Sequence, residues 1–190
     1  MSTARPHRLA PTRQPVHRLT LTSYDHATTL LADAVTRRLG PITAVIGIGT
    51  SGVPLAHSLA TRLTAKPLRI NARHERAAPA DSRTSGHVTV DLRPLDTALN
   101  GRRLVGTVLL ADDTCRTGAT LTTVYPKLAP YLTAGSTLHT VVLFRHTTAD
   151  YNPHLWLWDI THPVHLPWQA PLPADAPVHD LTLPDTPHTC

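Results

Sequence analysis

Aromatic side chains are scarce in this chain: four tyrosines, three tryptophans and one phenylalanine make up 4% of it. So few rings give little material for the stacking platforms that hold single-stranded nucleic acid. Only two cysteines occur, Cys115 and Cys190, which is too few for a disulfide framework. The histidines are spread too evenly to mark a zinc site. No apolar run approaches the roughly 20 residues of a membrane-spanning helix. The opening residues MSTARPHRLAPTRQPVHR contain no apolar stretch of the kind a secretory signal uses. The expectation is a cytoplasmic protein that does not engage membranes.

What remains is ample for one domain. The chain has 190 residues, 41% of them hydrophobic and 16% charged, with a formal net charge of +5 and a sequence pI of about 9.8. Arg5, Arg8, Arg13, Arg18 and Lys66 lie outside any nucleic-acid reader motif, so nucleic acid is not an expected partner. A basic surface serves equally well to attract a polyphosphate.

Residues 1–15, rich in Pro, Arg and His, read as a mobile basic arm. Residues 16–21 form a short strand or an extended lead-in. Ser23 or Asp25 caps a helix that reaches Leu39, with Leu30, Leu31, Ala34, Val35 and Leu39 as its apolar stripe and Gly40 as its stop. A β-rich run over 42–48 enters the loop Gly47-Ile48-Gly49-Thr50-Ser51-Gly52. A helix with Leu55, Ala56, Leu59, Ala60 and Leu63 on one face follows. Next come a short strand over 67–71 and a long, cation-bearing loop over 72–87. Such a loop inside a compact domain is functional or disordered. A returning strand covers 88–92, Asn100-Gly101 is a turn, and a strand over 103–111 delivers the central motif. The helix after it uses Leu121, Val124 and Leu128, and Pro126 should kink or stop it. The last strand covers 136–144. Residues 169–190, rich in Pro, Asp and His without periodicity, read as a tail.

This alternation predicts an α/β fold: a doubly wound, mainly parallel sheet flanked by helices, binding ligands at the carboxyl ends of its strands. Two loops lie at such ends. In Val108-Leu109-Leu110-Ala111-Asp112-Asp113-Thr114-Cys115-Arg116-Thr117-Gly118-Ala119-Thr120-Leu121 an apolar strand turns at two acids and leaves through a Thr/Gly-rich loop into a helix. The carboxylates suit sugar hydroxyls and a cation, and the backbone N–H groups at the helix start suit a phosphate. The 47–52 loop is a second anion cradle, although its glycines also fit a simple tight turn. Cys115 reads as a small packing residue, since no partner for a nucleophile can be named.

VLLADDTCRTGATL resembles the phosphoribosyl diphosphate (PRPP) motif of the type I phosphoribosyltransferases, and AVIGIGTSGVPLA has the place and shape of that family's pyrophosphate loop. The resemblance implies that Asp112 and Asp113 hold the ribose hydroxyls and favour the cationic centre that develops at C1. It implies that Arg116, Thr117, Gly118, Ala119 and Thr120 surround the 5-phosphate, and that Gly49, Thr50, Ser51 and Gly52 receive pyrophosphate. Mg²⁺ would be held mainly through PRPP, with no dedicated protein cage. The 72–87 loop takes the place of a catalytic lid, in which Arg73, Arg76 and Arg83 would close over the pyrophosphate, with His74 and Glu75 as proton carriers on closure. A solvated loop with no such role is the alternative. The domain would span 16–168, with a core over about 20–145 and a small hood over about 146–168.

That hood faintly resembles those of xanthine and guanine phosphoribosyltransferases. On that pattern Arg145 would contact the base and Trp168, Trp156 or Trp158 would cover it, unless the tryptophans pack the hood itself. Two departures matter. Arg116 stands where 6-oxopurine enzymes carry an acid, and an arginine cannot act as a base. Thr50 replaces an arginine common in the first loop. Transfer of 5-phosphoribose from PRPP to a nucleobase or related nitrogen heterocycle is the leading expectation. A non-catalytic PRPP- or nucleotide-binding regulatory module is the alternative. The family's habit of pairing makes a homodimer an expectation as well.

Overall fold

A computed structural model describes residues 16–74 and 87–190. The expected arm over 1–15 and residues 75–86, with Glu75, Arg76 and Arg83, lie outside the described residues.

Strand β1 (Val16–Arg18) leads into helix α1 (Leu21–Leu39). The cap is Thr20 rather than Ser23 or Asp25: its hydroxyl oxygen accepts the Ser23 N–H at 3.1 Å, and Gly40 ends the helix at φ +71°. Then come β2 (Ile42–Ile48), α2 (Gly52–Arg62), β3 (Lys66–His74), β4 (Val88–Asp91) and α3 (Arg93–Leu99). The sequence reading missed α3, whose seven residues bury only Leu95 and Leu99 and so show little periodicity. The chain continues with β5 (Thr107–Cys115), α4 (Ala119–Lys127), a 3-10 turn over Ala129–Tyr131, and β6 (Thr137–His146). Helix α4 stops one residue past Pro126, as a residue without an N–H dictates. Four short strands finish it: β7 (Leu155–Ile160), β8 (Val164–His165), β9 (Val178–Asp180) and β10 (His188–Thr189).

The main sheet runs β10-β7-β6-β5-β2-β3-β4. Its five inner strands are parallel, and β4 and β10 close the two edges antiparallel. Strand residues alternate between two cores, as period 2 requires. Val45, Leu109, Ala111, Val141 and Leu143 meet Leu31 and Val35 of α1 and Leu55 and Leu59 of α2. Ile46, Ile48, Val108, Leu110 and Val142 meet Leu95 and Leu99 of α3 and Leu121 and Val124 of α4. Helices therefore cover both faces of the sheet.

Two boundary expectations are corrected. The hood is not a unit over 146–168: β7 within that range is a main-sheet strand paired with β6. The small layer is instead a second parallel sheet, β8-β1-β9, assembled from three distant segments. Nor are residues 169–190 a free tail. Arg18 grips Asp180 with two bonds of 2.7 and 3.1 Å, Leu181 and Leu183 pack on the first core, and the Trp158 indole N–H donates to Thr182 O at 2.8 Å. Strands of two and three residues are too short to leave a periodic pattern among the prolines of this segment.

Candidate active site

Strand order reverses between β2 and β5: the chain moves outward from β2 to β3, then returns to build β5, β6 and β7 on the other side. Such a switch point opens a crevice at the carboxyl ends of the two strands. Gly47 and Ala111 are register partners, so the loops after β2 and β5 leave the sheet side by side. Gly52, at the start of α2, shows how closely they meet. A Cβ there would lie 2.7 Å from Ala111 O, 3.0 Å from Asp112 Cα and 3.1 Å from Asp112 Oδ1. Only glycine admits that approach.

Strand β5 does not turn at the acids, as the sequence suggested, but continues through them to Cys115, held by β6 pairing as far as Cys115 opposite Arg145. Ladder bonds thus fix the backbone of Asp112 and Asp113. Asp112 is 8% exposed, and its Oδ1 accepts the Asp113 N–H at 2.9 Å. Burial, and then the negative charge of Asp113, push its carboxyl well above the usual range. Among the described residues no cation pairs with either acid. Burying a carboxylate without a counter-charge is costly, and a ligand with hydroxyls or a metal ion would relieve it.

The two neighbouring helices start at residues that make no side-chain capping bond of their own. Ser51 precedes α2 and Gly118 precedes α4, and neither makes a capping bond, in contrast with Thr20 before α1. Both helix starts point their positive dipole ends toward the crevice side of the sheet, where anions are favoured. The Thr117 hydroxyl oxygen takes only the Ala119 N–H, at 3.3 Å. The Gly49 N–H donates to Ile70 O at 2.9 Å and ties the first loop to β3. Thr50 and Arg116 are exposed, while Thr120 and Ala119 are half-buried. Asp112, Asp113, the 116–120 loop and the 49–52 loop are therefore one constellation.

The remaining candidates lie elsewhere. Arg145 stands one strand over, its Nη1 donating to Asp159 Oδ1 at 3.0 Å and its guanidinium 5.3 Å from the Trp156 ring centre. Trp156 donates to the same Asp159 oxygen at 3.2 Å and stacks on His188. Trp158 stacks on Phe144 in the core. Trp168 meets Tyr24 of α1 edge-on at 5.2 Å and packs beside the first core. Arg73 sits on β3 opposite Thr89 rather than in a loop, because that strand continues to His74. The Cys115 thiol, pushed up to about 11 by burial and by Asp112, donates to Tyr151 O at 3.7 Å and is a packing group. Among the described residues no set of three or more His, Cys, Asp or Glu side chains could hold a metal ion. No described helix is long and apolar enough to cross a membrane.

A doubly wound sheet with a buried acid and two glycine-bearing loops at its switch point defines a class, the open α/β proteins that bind ligands at the carboxyl ends of their strands. The family is narrower. The sequence model of the phosphoribosyl transferase domain matches residues 20–172, and the chain belongs to that family. By that membership it is a phosphoribosyltransferase. Solved structures with the same fold include a purine phosphoribosyltransferase from Pyrococcus horikoshii Ot3, at TM-score 0.65 and 17% identity over 83% of this chain and 97% of that one. Another is the Helicobacter pylori xanthine-guanine-hypoxanthine phosphoribosyltransferase, at TM-score 0.63 and 18% identity over 80% and 93%. A third is a Neisseria gonorrhoeae protein with bound ppGpp, at 0.52 and 18% over 91% and 87%. No curated protein sequence matches the chain.

Proposed function

We propose that the protein transfers 5-phosphoribose from PRPP to a nucleobase or related nitrogen heterocycle and releases pyrophosphate. The approach of Gly52 to Asp112 carries this reading, because it puts an anion cradle and an acid pair into one crevice. The 116–120 loop and the start of α4 receive the 5-phosphate. The 49–52 loop and the start of α2 receive the pyrophosphate, where helix amides offset the charge gained as the C1–O bond breaks. Asp112 and Asp113 hold the ribose hydroxyls and favour the positive charge growing at C1. The acceptor nitrogen then forms the new bond to C1.

Mg²⁺ fits the same residues. Asp112 and Asp113 offer hard oxygen donors with no competing cation, and two carboxylates suffice for an ion that takes most of its shell from substrate oxygens and water. Bound there, it would draw charge from the leaving pyrophosphate. The names of the fold neighbours point to purines as acceptors to try first. The free state of both Cys115 and Cys190 supports a reducing, cytoplasmic setting.

Arg116 favours a second reading. It is exposed and places a cation, not a base, at the edge of the phosphate loop, which suits retention of PRPP or a nucleotide as a regulatory signal. One experiment separates the two. The protein with MgCl₂, PRPP and a panel of purines, pyrimidines and pyridine carboxylates should release pyrophosphate with one of them. Tight PRPP binding with no release across the panel would establish the regulatory module instead.

A further inference from the structure

The loop after β6 contains residues that no step above uses, yet it clasps the 115–118 segment at three points. The Asp150 N–H donates to Thr117 O at 3.2 Å. Cys115 Sγ donates to Tyr151 O at 3.7 Å. Tyr151 lies so close to Gly118 that a Cβ there would fall 2.2 Å from Tyr151 Cβ and 3.1 Å from its backbone nitrogen. Gly118 is also left-handed, at φ +91°. This glycine is therefore demanded twice, by the turn and by its neighbour.

The far end of the same loop is fastened to the sheet. Thr140 of β6 is fully buried, and His154 closes on it from both sides. His154 Nδ1 accepts the Thr140 N–H at 3.0 Å and lies 2.8 Å from its hydroxyl, while the His154 N–H donates to Thr140 Oγ1 at 3.1 Å. An imidazole nitrogen can accept these bonds only when unprotonated, which puts the ring proton on Nε2. Tyr151 OH reaches the same threonine at 3.4 Å. The His154 ring also stacks on Tyr125 at 6.3 Å, and Tyr125 belongs to α4, the helix that Gly118 begins. One loop thus touches α4 at its start and near its end.

We propose that residues 150–154 are a brace that keeps the 116–120 loop in its phosphate-receiving shape, with His154 as the positioning residue that locks the brace to Thr140. The inference rests on the assignment of that loop to PRPP. Without the lock, Tyr151 is free to withdraw from Gly118, and the loop amides lose their common aim. No substrate contact by His154 is involved.

Titration calorimetry of the full chain with PRPP in MgCl₂, at a temperature where circular dichroism shows each variant folded, tests the brace. His154→Ala is expected to weaken PRPP binding about tenfold. His154→Asn keeps an acceptor, Oδ1, in the place of Nδ1 and should bind within about twofold of wild type. If His154→Ala does not fold, Thr140→Val removes the lock from the other side, with an expected loss of about fivefold. A folded His154→Ala or Thr140→Val with wild-type affinity overturns the brace, and so does an equal loss in the Ala and Asn variants. A wild-type chain that does not bind PRPP overturns the proposed function itself, which is a different result.

Discussion

The β2–β5 crevice and the β6–β7 edge treat charge in opposite ways. At the edge, Arg145, Asp159, Trp156 and His188 engage one another through an ion pair, an indole hydrogen bond, a cation over a ring and a stacked imidazole, with the buried Arg145 Nε left unpaired among the described residues. In the crevice, two adjacent acids lie beside the starts of α2 and α4, and among the described residues no cation pairs with either acid. The contrast is local, since Arg145 is the register partner of Cys115, on the same strand that carries the acids. The acids of the second region lack a counter-charge, whereas Arg145 has one in Asp159. For Arg145 this means that a base would have to compete with Asp159 for its guanidinium.

The sharpest way to break the contrast is to neutralise the acids. Asp112→Asn and Asp113→Asn are each expected to lower turnover by at least about 100-fold, read as pyrophosphate release. Asp112→Asn should leave the melting temperature equal or higher, since folding raises the Asp112 carboxyl above its ordinary value. The sign follows from linkage. The folded protein prefers the protonated form, so the wild type loses stability as pH rises above about 4, and asparagine removes that loss. A variant with unchanged turnover would end the site assignment.

Filling the crevice comes next. Gly52→Ala places a methyl 2.7 Å from Ala111 O, where backbone must move. A cost of about 1–3 kcal/mol in unfolding free energy is expected, together with weaker PRPP binding. Wild-type stability would show that the two loops stand farther apart.

A pH titration probes the brace behind the phosphate loop. Burial holds both His139 and His154 below the usual imidazole range, with His139 adding to the effect on His154. Tyr125, Thr140 and Tyr151 also face the His154 ring. A depressed folded value means that the stability these rings contribute is whole above about pH 6.5 and is lost as pH falls through the folded values. The melting temperature should drop between about pH 7 and pH 5, and the drop should shrink in His154→Asn. The smallest effect belongs to the β6–β7 edge: Arg145→Met should cost about 1–2 kcal/mol, because the pair is partly open to solvent. It should leave PRPP affinity within about twofold. A larger loss of affinity would move Arg145 into the site.

Much of the fold is legible in the sequence. The strands β2, β5 and β6 and the helix α2 follow from apolar runs and 3.6-residue stripes. The acid pair and both loops stand out because their residues are neighbours in the chain. What escaped was made of few residues or of distant ones. Thr20 caps α1 three residues before the expected cap, and α3 is too short to show a stripe. Asp150 and Tyr151 looked like hood residues, and nothing local marks them as the wall against Gly118. The segment after 169 looked like a tail because its contacts, Asp180 to Arg18 and Thr182 to Trp158, span long stretches of chain.

The sequence by itself determined the family and the succession of strand, acid pair and helix start, because Asp112, Asp113 and the Thr117–Thr120 run are joined covalently and their order alone sets it. Tertiary structure decided everything that depends on two segments meeting. It set Gly52 against Asp112, gave Arg145 to Asp159, placed Trp168 on α1, and locked His154 to Thr140 behind the loop. Packing and hydrogen bonds between residues far apart in the chain select those pairs, and no local pattern records them.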